Sequence, residues 1–69
     1  MKQAIQNVMD QNPVNSSVTV TVSIISKYDD YRIEIRHADT QQLIWRAWDF
    51  EQDFLTELQR ELARHPQIK

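Results

Sequence analysis

A chain of 69 residues with 8 Lys and Arg against 10 Asp and Glu, a formal charge of −2, makes one small domain. It has no cysteine, which excludes disulfides and thiolate metal sites, and no glycine, which removes phosphate-cradling loops and dinucleotide-binding turns. The charge balance argues against a general nucleic-acid binder while leaving room for a local basic patch.

No apolar run approaches membrane-spanning length, and no signal-peptide core follows Met1-Lys2. With the lack of cysteine, this leads to the expectation of a cytoplasmic protein. A core this small is marginal against chain entropy, and no staple is available. A homodimer through the edge of the first or third strand is therefore expected as one route to stability.

Along the chain, Ala4, Ile5, Val8 and Met9 among Gln, Asn and Lys predict a short amphipathic helix over residues 2–11. Asn12 reads as a left-handed C-cap and Pro13 as a stop, with a linker over 14–17. Asn15-Ser16-Ser17 matches the glycosylation sequon, but with no export signal it reads as a loop. Residues 18–24 (VTVTVSI) alternate without a break and are rich in β-branched side chains, the clearest strand in the chain. Lys27-Tyr28-Asp29-Asp30 reads as a turn. A second strand over 31–37 sets Tyr31, Ile33 and Ile35 against Arg32, Glu34 and Arg36, and a second turn covers 38–42.

The third strand runs into Trp45-Arg46-Ala47-Trp48-Asp49-Phe50-Glu51, where the period changes from two to that of a helix. Asp49 stands three residues before Gln52, a capping-box spacing. Phe54, Leu55, Leu58 and Leu62 then form one apolar stripe. Acids at 49, 51 and 53 and bases at 60, 64 and 65 suit the dipole of a helix over about 50–64, ended by Pro66. An unpaired guanidinium cannot enter an apolar core, so Arg46 should face water. Trp45 and Ala47 are then inside, and Trp48 lies outside with Arg46.

The expected fold is α+β: a helix, a three-stranded antiparallel meander and a second helix. Both helices should cover the face bearing Val18, Val20, Val22, Ile24, Ile33, Ile35 and Trp45. A three-residue second loop puts Glu34 opposite Arg46 and Arg32 opposite Trp48. A four-residue loop at 27–30 puts Ser23 beside Glu34 and Ile25 beside Arg32. Opposite charges and a cation over an indole would then meet across the free face.

None of these residues is assigned a catalytic, cofactor or metal role. His37 and His65 fall at opposite ends, and capping accounts for Asp49 and Asp53, which could otherwise hold a cation from one helix face. The element order is also that of double-stranded RNA-binding domains, in which lysines begin the second helix and grip phosphates. Here Asp49, Glu51 and Asp53 stand in that place, with the sign reversed. Arg32, Arg36 and Arg46 could hold a single strand with Trp48 as a stacking platform, but Glu34 lies among them. The plainer reading of that face is a solvated sheet surface. A protein contact is the other, because Trp and Arg are enriched among binding hot spots. The candidate interaction surface is Ile25, Arg32, Glu34, Arg36, Arg46 and Trp48. Its expected partner is an unidentified protein or a second copy, with nucleic acid as the alternative.

The run Tyr31-Arg32-Ile33-Glu34-Ile35-Arg36, a turn with Asp39-Thr40, and the double-tryptophan stretch at 45–51 together resemble the YkfF-like family. Those are short enterobacterial proteins, often encoded on prophages and plasmids. The resemblance covers about half the chain and implies a small bacterial α+β domain from mobile DNA, with no reaction or substrate attached. This chain departs from the pattern at the second turn, which is one residue longer and offers Gln41 or Gln42 in place of glycine. That departure counts against a left-handed residue there.

Overall fold

The computed structural model describes residues 2–25 and 30–67. Its elements are α1 (Lys2–Gln11), β1 (Val18–Ile24), β2 (Tyr31–His37), β3 (Leu43–Trp48) and α2 (Phe54–Ala63). The fold is α+β, with one antiparallel sheet in the order β1-β2-β3. Lys27, Tyr28 and Asp29 of the expected first turn lie outside the described residues.

Strand alternation builds the core. Ile33 and Ile35 are fully buried and gather Ile5 of α1, Val18 of β1, Ala47 of β3 and the Phe54–Leu58–Leu62 stripe of α2. Helix α2 lies against β3, where Ala47 has too small a side chain to hold it off, and α1 packs chiefly on α2. Neither helix runs closely along β1. This corrects the expected core: Val22 and Ile24 alternate correctly, yet they are 39% and 63% exposed. Trp45 is also only half-buried, because it sits on an edge strand rather than in the sheet centre.

The β2–β3 register is the expected one, with Glu34 opposite Arg46 and Arg32 opposite Trp48. A bulge follows: Ile35 pairs with Trp45 but Arg36 with Leu43, leaving Ile44 as the extra residue, half-buried against the core. The β1–β2 register is shifted by two from expectation. Thr21, not Ser23, faces Glu34, and Ser23, not Ile25, faces Arg32. A two-residue slide keeps every side chain on its face, so alternation alone does not select between the registers. The observed one pairs all seven residues of β1 with all seven of β2. The expected one would have set Val18 against Asp39, in the turn.

The start of α2 differs as well. The Asp49 N–H donates to the Tyr31 carbonyl at 2.9 Å, prolonging the sheet instead of opening a helix. Two turn steps follow, Glu51 N–H to Trp48 O at 3.1 Å and Phe54 N–H to Glu51 O at 3.3 Å. The N-cap is therefore Asp53, with a left-handed backbone (φ 59°, ψ 25°) and no side-chain cap bond. Asp49 and Asp53 share no helix face. Asn12 is not left-handed either; its side-chain amide donates to the Val8 carbonyl at 2.9 Å. The left-handed residue of the second turn is Gln41, at φ 63°, despite its side chain. Its carbonyl, N–H and side-chain amide are all engaged, by Arg36, His37 O and Ala38 O respectively.

A left-handed Asp tolerates its Cβ better than most residues, but only glycine is free of the clash. Asp53→Gly should thus hold or raise the urea midpoint, whereas Asp53→Val should lower stability by about 1–2 kcal/mol. Equal midpoints for the two variants would remove the strain argument.

The linker before β1 is less idle than expected. Val14 forms an antiparallel bridge with Pro66, and the Asn15 N–H reaches His65 O at 2.9 Å. The Gln67 N–H reaches Pro13 O at 3.0 Å. The Asn15 side chain is occupied too, donating to Pro66 O and accepting from the Ser17 N–H and hydroxyl. No described helix is long and apolar enough to cross a membrane.

Candidate functional site: an arginine triad on one buried carboxylate

Because Ile33 and Ile35 point to the core, Arg32, Glu34 and Arg36 of β2 point to the opposite face of the sheet. The register then brings Arg46 and Trp48 of β3 beside them. Glu34 is only 7% exposed, although it lies on the face turned from the core. Its cover is made of arginines.

One oxygen does most of the accepting. Glu34 Oε2 receives Arg46 Nη2 at 2.6 Å, Arg46 Nε at 2.9 Å and Arg36 Nη2 at 2.9 Å. The second oxygen, Oε1, faces Arg32 Nη2 at 3.6 Å, an ion pair too long for a hydrogen bond. The hydrogen bond from Arg46, and next that from Arg36, hold the Glu34 carboxyl below its ordinary pKa against the opposing push of burial. Glu34 is ionised at neutral pH, and the cluster of three guanidinium groups and one carboxylate carries a surplus of positive charge.

The three arginines are not equivalent. Arg46 grips Glu34 with two nitrogens. Arg36 is held at both ends, by Glu34 and through Nη1 by the Gln41 carbonyl at 2.8 Å. Among the described residues Arg32 has only the long ion pair, and its Nε is shielded from solvent without a hydrogen-bond partner. Across the strands from it stands Trp48, half-buried, its backbone N–H fixed by Glu51 Oε1 at 2.8 Å. The least committed guanidinium of the three and the Trp48 indole are thus neighbours.

Of the six residues expected to form the surface, the structure brings together Arg32, Glu34, Arg36, Arg46 and Trp48. Ile25 is not among them. It lies past the end of β1, where its N–H donates to Asp30 O at 3.0 Å, and the shifted register puts Ser23 beside Arg32. Two supporting residues escaped the sequence reading. Gln41 acts through its carbonyl, which carries no sequence signal. Glu51 holds the Trp48 amide from three residues on, the same spacing that Asp49 and Gln52 offer one position later.

Elsewhere a cleft of about 260 Å³ opens between the end of α1 and the end of α2, lined by Pro13, Leu62, Ala63, Pro66 and amide side chains. It holds no titratable group and is smaller than ordinary ligand sites. Among the described residues no three His, Asp or Glu side chains cluster as metal ligands would. Compared with protein-family models, with curated proteins and with solved structures, the chain matches none of them.

Proposed function

We propose that this protein is an interaction module whose binding surface is the Arg32–Trp48–Arg46 face of the sheet, and that its partner is a protein presenting a carboxylate beside an apolar group. The observation that supports it most is the surplus of guanidinium over carboxylate around Glu34, with Arg32 underused next to Trp48. Arginine and tryptophan supply bidentate charge recognition and a large rigid contact area, the two commonest components of a binding hot spot. The resemblance to the YkfF-like family fits an accessory protein of bacterial mobile DNA acting in the cytoplasm by binding, with no chemistry of its own.

Single-stranded nucleic acid is the second reading, since the same arginines could take phosphates and Trp48 a base. The carboxylate of Glu51 at the Trp48 amide, and Glu34 itself, count against a phosphate backbone on this surface.

The test is capture from a bacterial lysate on immobilised protein, with and without nuclease, using wild type and Trp48→Ala. The variant should stay folded, losing about 1 kcal/mol because the side chain is half-buried, yet release the retained protein. Retention that is insensitive to Trp48→Ala would place the interface elsewhere. Retention emptied by nuclease and falling steeply with salt would favour the nucleic-acid reading.

A further inference from the structure

The two edges of the sheet are unequal. β3 is guarded: its ladder to β2 is broken by the bulge at Ile44, and Arg46 sits in its middle. Charge and bulges are the usual devices that stop an edge from accepting another strand. β1 has neither. Residues 18–25 contain no charge, no proline and no glycine, and the ladder with β2 is unbroken. Among the described residues the strand has a partner on one side only. Its Val22 and Ile24 stay uncovered by either helix.

We propose that the free edge of β1 pairs antiparallel with β1 of a second copy of this chain, giving a continuous six-stranded sheet. The sequence of β1 says why the occupant is another copy. A two-fold axis through Thr21 aligns the full length of Val18–Ile24, setting Val18 against Ile24, Thr19 against Ser23 and Val20 against Val22. Hydroxyls meet hydroxyls on one face and aliphatic groups meet on the other, so the exposed Val22 and Ile24 gain aliphatic neighbours. The two-fold brings the two copies of this strand together with no charge on either, so nothing in the strand repels its own copy. The same operation on β3 would bring Arg46 near its own copy. Assembly therefore closes at two, with the guarded β3 strands outermost. The axis stands perpendicular to the sheet, so both Arg32–Trp48 surfaces lie on one side of the dimer.

Sedimentation equilibrium on the full chain, with far-UV circular dichroism as a check of folding, tests this through two charge patterns. Wild type should show twice the chain mass at high micromolar concentration. Thr19→Lys with Ser23→Lys sets lysine against lysine across the axis and should return the mass of one copy. Thr19→Lys with Ser23→Glu sets lysine against glutamate and should restore the doubled mass. If a double variant fails to fold, Thr21→Lys alone places two lysines at the axis and should give the single mass. A wild type that stays at one copy, or one that grows past two, overturns the proposal. So does a lysine pair that dimerises as well as wild type.

Discussion

Leu58→Ala should lower stability by about 2–5 kcal/mol, while Leu55→Ala, three residues away on the same helix, should cost less than half as much. The chemistry is identical, and the surroundings differ. Leu58 is fully buried in the cluster with Ile33 and Ile35, whereas Leu55 is half-buried at its margin. At the usual 0.05–0.15 kcal/mol per residue, the whole domain has roughly 3–10 kcal/mol to lose. The Leu58 variant should therefore lose a large share of the domain's stability. Urea titrations followed by circular dichroism compare the two, and equal midpoints would mean that α2 is not held by this stripe.

The second large effect belongs to Glu34. Glu34→Gln keeps the shape but removes the charge on which Arg36 and Arg46 close. If the amide oxygen keeps those bonds, the amide NH2 is turned toward Arg32, donor against donor. Since the arginines are each about a third exposed and can reach water, the loss at neutral pH should be about 1–3 kcal/mol. The pH dependence has a definite sign. The folded carboxyl has a pKa below its unfolded value, so on acidification the unfolded chain takes up the proton first. The contribution is complete above the unfolded pKa and drains away as pH falls through the folded one. Wild type and Glu34→Gln should thus differ at neutral pH and converge in acid. A difference that persists at the lowest pH would show that the variant is destabilised by packing instead.

How much of this was legible beforehand depends on what each residue's signal could specify. The alternation in Tyr31–His37 and the guanidinium of Arg46 decided which face was inside, and with the loop length they placed Glu34 against Arg46 and Arg32 against Trp48. Alternation says nothing about slides by two, so it does not distinguish Ile25 from Ser23 as the neighbour of Arg32. It also says which face a residue is on, not whether anything covers it, which is why Val22 and Ile24 have a core pattern in the sequence and stand exposed in the fold. The helix start failed because Asp49 and Asp53 both carry good capping chemistry, and a backbone bond from Asp49 to Tyr31 O decided between them. Glu34 was placed on a solvated face, and its burial came from three long side chains folding over it. No periodicity encodes that.

The bridge between Val14 and Pro66 ties together two segments that are far apart in the chain. Its side-chain bond joins residues 51 positions apart. Closing a flexible loop of that size costs about 3.5 kcal/mol in chain entropy, apart from a constant. The three hydrogen bonds from Asn15 and Gln67 net about 3 kcal/mol together, no more than about what that closure costs. The meander and α2 lower that cost by shortening the distance the stitch spans. Once made, it acts as a latch joining the segment before β1 to the segment after α2.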